Sequence, residues 1–173
     1  MIELILGGAR SGKSRLAEQR AINSGKELVY IATAQVLDAE MADRVESHQS
    51  RRDERWLLVE EPFELAAAVQ RYASSERCLL VDCLTLWLSN LLHEERADRW
   101  PQQRQQLLDM LPTLPGELIM VSNEVGMGIV PMGALSRRFV DESGWLHQSL
   151  ADYCDRITLT VAGLPMTVKG TAD

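Results

Sequence analysis

The sequence predicts an α/β fold, a single domain built on a mainly parallel sheet flanked by helices. Three observations carry that expectation. Short, nearly unbroken apolar runs alternate with helical patterns, as they do when strands are buried on both faces. The first run, Ile2 to Leu6, leads straight into Gly7-Gly8-Ala9-Arg10-Ser11-Gly12-Lys13-Ser14, a full match to the phosphate-binding pattern G-x-x-x-x-G-K-[ST]. The length of 173 residues suits one well-buried domain over 1–173 and falls short of two comfortable ones.

Taken in order, Ile2 to Leu6 is a strand, and Arg15 to Ala21 after the glycine loop is a helix. Glu27 to Thr33 (ELVYIAT) is a second strand, introduced by the turn residue Gly25. Residues 37–52 read as a polar helix, and Trp56 to Val59 as a third strand. Pro62 suits the first turn of a helix over Phe63 to Ala73. Leu79 to Val81 is a fourth strand that ends at Asp82. Residues 85–96 (TLWLSNLLHEER) are amphipathic, with Thr85 as the helix start, and a further helix runs from about Gln102 to Leu111. Pro112, Pro115 and Gly116 break the chain before a fifth strand, Leu118 to Val121. A Gly- and Met-rich loop precedes a helix over 134–152. Arg156 to Val161 and Met166 to Lys169 then form an antiparallel edge hairpin about a Gly163–Pro165 turn.

Composition narrows the classes. At 46% hydrophobic and 25% charged residues the chain is an ordinary globular one. No stretch approaches the ~18 consecutive apolar residues of a membrane span, and the start of the chain reads as a strand rather than a secretory leader. Cys78, Cys83 and Cys154 lack metal-ligand spacing and read as buried thiols of a cytoplasmic protein. The net charge of −7 argues against a nucleic-acid partner, while leaving room for an anionic nucleotide in a small local site.

The glycine loop carries the first chemistry. Glycines let the backbone approach a phosphate chain, and the helix start that follows offers unpaired N–H groups and the positive end of its dipole. Lys13 then reaches the β/γ-phosphates and the Ser14 hydroxyl ligates Mg²⁺. Asp82, a carboxylate closing a buried strand, stands where a Mg²⁺-holding acid belongs; the competing role is a cap for the helix near Thr85. The loop Ser122 to Pro131 follows the fifth strand, where loops line the ligand crevice of a parallel sheet. Its Met127, Ile129 and Val130 suit a cover over a large, partly apolar ligand.

The segment 37–56 is unusual in another way. At about 100° per residue, Arg44, His48, Arg51, Arg52 and Arg55 share an arc of roughly 100°, with Glu40, Asp43, Glu46, Asp53 and Glu54 opposite. Periodicity leaves two readings open: a surface helix with salt bridges and an incidental histidine, or a guanidinium phosphate clamp around an imidazole. In the second, neighbouring positive charge lowers the His48 pKa, keeping it neutral and able to attack phosphorus. His93 reads as a helix-surface residue and His147 as a packing or hydrogen-bonding one.

With these residues in view, the chain resembles the bifunctional adenosylcobinamide kinase / adenosylcobinamide-phosphate guanylyltransferase family of cobalamin biosynthesis, over almost all of Ile2 to Lys169. The resemblance rests on GGARSGKS at 7–14, YIAT at 30–33, Arg44 to His48 followed by Trp56 and Glu60, Asp82 with CLT after it, and SNEVGMGIVP at 122–131. It implies a RecA-like P-loop NTPase domain, a homotrimer, and two reactions. ATP or GTP phosphorylates adenosylcobinamide; GTP then guanylylates a histidine, which passes GMP to adenosylcobinamide phosphate. The family's nucleophile falls on His48. Its nucleotide contacts fall on Gly7, Gly8, Ala9, Arg10, Ser11, Gly12, Lys13 and Ser14, on Thr33, Ala34 and Gln35, on Gln49, Ser50, Arg51 and Arg52, on Glu60 and on Asp82. Some relatives carry two adjacent histidines where this chain has Ser47-His48, and some have Asn in place of His147. The alternatives are a single-function P-loop small-molecule kinase, which would take no label from the α-phosphate of GTP, and a GTP-binding switch, against which stands the lack of an N-K-x-D motif.

Overall fold

A computed structural model describes residues 1–35 and 54–171. Within them, a seven-stranded sheet has the order β3-β2-β4-β5-β1-β6-β7. The strands are β1 (Ile2–Gly7), β2 (Glu27–Ala32), β3 (Trp56–Glu60), β4 (Arg77–Asp82), β5 (Glu117–Asn123), β6 (Arg156–Val161) and β7 (Leu164–Lys169). The described helices are α1 (Lys13–Asn23), α2 (Leu65–Tyr72), α3 (Leu84–Leu92), α4 (Trp100–Met110) and α5 (Ala134–Tyr153). Every pairing is parallel except β6 with β7.

The apolar runs are continuous because the sheet is covered twice. Leu4, Val29, Ile31, Leu79, Val81, Leu118 and Met120 point into one core with α2, α3, α4 and α5. Their neighbours Ile5, Leu28, Tyr30, Cys78, Leu80, Ile119 and Val121 point into the other, with Ala17 and Ala21 of α1. Each fully buried Leu, Ile or Val contributes about 1.5–3 kcal/mol, which is what holds the strand register. In the larger core Trp87 and Trp100 are fully buried and meet edge to face at 5.2 Å between centroids. Trp87 Nε1 donates to Phe63 O at 2.8 Å and Trp100 Nε1 to Glu142 Oε2 at 2.7 Å. Both indoles are therefore packing residues.

Among the described residues, one carboxyl group of the sheet is fully buried. Glu3 of β1 is paired with Arg20 of α1 and, at 3.2 Å, with Arg156 at the start of β6. Burial raises its pKa, and the two guanidiniums with Thr158 oppose the rise. This cluster fixes α1 and β6 against β1.

The structure moves several boundaries. Helix α2 starts at Leu65 rather than Phe63 because Glu61 Oε1 accepts from the N–H groups of Phe63 (2.9 Å) and Glu64 (2.8 Å), leaving Pro62 ahead of the helix. The amphipathic stretch 85–96 is not one helix. Helix α3 stops at Leu92, His93 is extended at ψ 139°, and a 3₁₀ segment over Glu94–Arg99 leads into α4 at Trp100. The final hairpin turns at Ala162 and Gly163, with φ of 51° and 81°, the two left-handed residues of a tight hairpin, so β7 begins at Leu164. Pro165 sits within this edge strand, where a missing N–H is tolerated. The helix expected over 37–52 lies outside the described residues.

The connection into β5 supplies a stability test. Gly116 has φ +80°, and a Cβ there would collide with the carbonyl oxygen of Ser74 and lie 2.7 Å from that of Arg77. Gly116→Ala is expected to cost about 2–5 kcal/mol from left-handed strain plus overpacking, read as a lower midpoint in chemical denaturation with an unchanged slope.

Candidate functional site

Parallel register brings the C-terminal ends of six strands to one edge. Gly7 lies opposite Asn123 and Thr160, Asp82 opposite Val121 and Ala32, and Ala32 opposite Glu60. The glycine loop leaves β1 at this edge and enters α1. Gly12 precedes the helix at φ 95°, and a Cβ there would come within 3.2 Å of Gly163 Cα. The hairpin turn packs against the loop from behind, and Gly163 N donates to Ser11 O at 2.9 Å. On the other flank, Glu124 N donates to Gly7 O at 3.0 Å. The loop is thus held between β5 and the β6–β7 turn, with Gly8, Ala9 and Arg10 exposed.

Lys13 Nζ donates to Gly8 O at 3.0 Å. Burial lowers its pKa, while Cys83 and Asp82 nearby oppose the fall. Ser14 is half-buried in the first turn of α1. Asp82 accepts from Tyr30 Oη at 2.9 Å through Oδ2 and makes no side-chain cap to α3, which disposes of the capping role. A hydroxyl and one carboxylate with an oxygen to spare suit Mg²⁺, which takes few protein oxygens and completes its octahedron with phosphates and water. No group of three or more His, Cys, Asp or Glu side chains placed to hold a metal occurs among the described residues.

Beyond Asp82 the chain is tied to the exit of β2. Thr33 is fully buried; its Oγ1 donates to Cys83 O at 2.7 Å and accepts from Cys83 N at 2.9 Å. Ala34 and Gln35 are half-buried just past this tie, and Glu60 is exposed at the end of β3. Burial pushes the thiols of Cys78 and Cys83 up to about 11 and that of Cys154 up to about 12, so all three stay protonated.

A polar chain that sequence patterning did not reveal runs behind the β5 exit. Asn123 N donates to Thr85 Oγ1 at 2.7 Å, Thr85 Oγ1 meets Ser122 Oγ at 3.3 Å, and Ser122 Oγ meets His147 Nε2 at 2.8 Å. Burial lowers the His147 pKa, Glu124 opposing, so the ring is neutral at pH 7. His93 is exposed, though past the end of α3 rather than on a helix surface. The loop beyond Glu124 is turned by Gly126 N donating to Glu124 Oε1 at 2.5 Å, and Met127, Ile129 and Val130 are all exposed, Ile129 at 98%. His48, Gln49, Ser50, Arg51 and Arg52 lie outside the described residues.

With this geometry in place, comparison with known proteins is informative. The sequence profile of the family described as cobinamide kinase / cobinamide phosphate guanyltransferase matches residues 3–168. The chain is 58% identical over 170 residues to the bifunctional adenosylcobalamin biosynthesis protein CobP of Pseudomonas aeruginosa, covering 98% of each. It is 37% identical to the bifunctional adenosylcobalamin biosynthesis protein CobU of Escherichia coli, covering 98% of this chain and 100% of that one. Among solved structures it is similar to the flagellar accessory protein FlaH of Methanocaldococcus jannaschii, with TM-score 0.54 and 12% identity over 98% of this chain and 78% of that one. It is also similar to the P4 protein of bacteriophage phi6 in complex with ADP, with TM-score 0.51 and 13% identity over 95% and 52%. These structural likenesses bear on the fold alone, which is that of a P-loop NTPase domain.

The His147 environment fixes a pH dependence. A group held below its ordinary value of 6.5 contributes stability above that pH and loses it as the pH falls through the depressed value, because the folded state resists the proton. Wild-type melting temperature is expected to drop between pH 7.5 and 5.5 by more than that of His147→Asn, which keeps a polar partner for Ser122 without a titrating ring; equal drops would assign the loss to other groups.

Proposed function

The chain belongs to the cobinamide kinase / cobinamide phosphate guanyltransferase family, and from that premise we propose that it performs both reactions at one nucleotide site. In the first, the aminopropanol hydroxyl oxygen of adenosylcobinamide attacks the γ-phosphorus of ATP or GTP, and the nucleoside diphosphate leaves. In the second, His48 attacks the α-phosphorus of GTP and pyrophosphate leaves. The phosphate of adenosylcobinamide phosphate then takes GMP from the histidine, giving adenosylcobinamide-GDP. The observation that carries the reading is the glycine loop with Lys13 and Asp82 at one strand edge, in a chain matched by the family almost end to end.

The residues divide the work. The loop Gly7 to Ser14 offers backbone N–H groups and the α1 dipole to the phosphates, and Lys13 adds its charge. Ser14 and Asp82 are the residues that would hold Mg²⁺, which neutralises the triphosphate. Thr33, Ala34, Gln35, Glu60 and Gln49 to Arg52 contact the nucleotide by the family likeness. The phosphoramidate on His48 is a strong donor, so one difficult transfer becomes two easier ones. The exposed apolar tip of the 124–131 loop suits a cover for the corrinoid. A cytoplasmic location belongs to the same reading, because nucleoside triphosphates are the co-substrates.

Incubation with GTP labelled at the α-phosphate is expected to leave acid-labile, base-stable label on the protein, and His48→Ala is expected to lose it. Label that persists in that variant would remove His48 from the nucleophilic role, and an unlabelled wild type that makes product from ATP would leave a single-function kinase.

Assembly as a homotrimer is part of the proposal. Leu164, Met166 and Val168 alternate along the edge strand β7 and are exposed, with Leu135 and Trp145 of α5 also exposed. An apolar edge strand of this kind is an association surface. Met166→Lys with Val168→Lys is expected to convert a trimer to monomer in sedimentation; a monomeric wild type would overturn the assembly reading.

A further inference from the structure

Three strand exits converge on one amide. Asn90, on α3, donates through Nδ2 to Thr33 O at 2.7 Å and to Pro62 O at 3.0 Å. Both partners are carbonyl oxygens, which only accept, so the orientation of the amide is determined and both of its hydrogens are engaged. Thr33 is the first residue past β2, Pro62 lies two past the end of β3, and α3 itself begins two residues after Asp82 closes β4. The circuit closes through Thr33 Oγ1, which holds both the N–H and the carbonyl of Cys83. Thr33 N adds a fifth bond, to Asp82 O at 3.3 Å, and Trp87, one turn before Asn90, braces Phe63 O.

The position of this circuit in the sheet gives it a meaning. The phosphate loop leaves β1, whereas the exits held by Asn90 belong to β2 and β3, on the far side of β4 and β5 from it. In the nucleotide-site reading proposed above, the Thr33–Gln35 and Glu60 segments at those exits contact the nucleotide apart from the loop. The loop is held separately, by Glu124 N on Gly7 O and Gly163 N on Ser11 O. Two independent sets of bonds therefore shape the two ends of the site.

We infer that Asn90 is a positioning residue for nucleoside recognition: it touches no phosphate, but sets the spacing of the Thr33–Gln35 and Glu60 segments against the Asp82 exit. The inference rests on the nucleotide-site reading above. Its physical basis is that removing the amide leaves two carbonyls without their donor, so that the β2 and β3 exits keep the backbone bond from Glu61 N to Ala32 O at 2.9 Å but lose the side-chain link that sets the spacing of Thr33 and Pro62 against α3. A contribution of this kind is uniform binding, felt in KM rather than in kcat.

The test uses Asn90→Ala and the isosteric Asn90→Asp, with GTP and inorganic tripolyphosphate as calorimetric probes in Mg²⁺. Loss of two hydrogen bonds is expected to weaken GTP about tenfold in Asn90→Ala, with KM rising in step and kcat within about twofold. Asn90→Asp is expected to be worse, since its carboxylate faces two carbonyl oxygens. Tripolyphosphate, which engages the loop and the Mg²⁺ residues but neither Thr33–Gln35 nor Glu60, is expected to bind all three proteins equally. Unchanged GTP affinity in both variants, or an equal loss for tripolyphosphate and GTP, would overturn the inference. Failure of both variants to fold would also overturn it, assigning Asn90 to stability alone. A wild type that binds tripolyphosphate but not GTP would instead refute the nucleotide-site reading.

Discussion

Parallel register is the constraint on which the rest of this structure depends. Because β1, β2, β3, β4, β5 and β6 run in one direction and finish nearly level, Gly7, Ala32, Glu60, Asp82, Asn123 and Val161 arrive at one edge without any residue being placed there individually. Parallel strands need long crossovers, so the sequence between these ends is available for helices that cover the sheet. The two cores that result exclude water from both faces. A slip of one residue in β4 would turn Asp82 to the opposite face and exchange the two cores' side chains, which is why burial and site geometry are fixed by the same contacts.

Polar ties refine what register sets coarsely. Side chains from the first turns of a helix, Thr85 on α3, or from its far end, Asn90, reach backbone groups in neighbouring strand exits. Backbone at a strand end has lost its ladder partner and is costly to leave unpaired when covered. Thr33 shows the logic in small compass: fully buried, it satisfies a peptide unit of another segment through both roles of its hydroxyl.

The legible parts of the sequence were those governed by local rules. The run Ile2 to Leu6, the glycine pattern and the helix after it announce themselves by spacing, and Asp82 by closing an apolar run. Illegible were features made by distant pairs. Ser122 and His147, or Asn90 and Thr33, are separated by 25 and 57 residues and share no pattern. The break at His93 was hidden because TLWLSNLLHEER keeps a helical alternation through it; burial of Leu91 and Leu92 on one side and of Trp100 on the other sets the turn. The start of α2 was misread because Pro62 is a sound first-turn residue, while the cap that governs that end comes from Glu61. The meeting of Trp87 and Trp100, edge to face in the larger core, likewise joins two elements that no local pattern links.

The tight turn at Ala162 and Gly163 joins the outermost strand of the sheet to the innermost element of the site. Among the described residues, a peptide N–H bond from Gly163 to Ser11 links them, beside the close approach of Gly163 to Gly12. Whatever grips β7 therefore also stiffens the cradle that receives an anion, and a fraying β7 would loosen that cradle by the same route. The rim of the sheet acts as a lever on its centre.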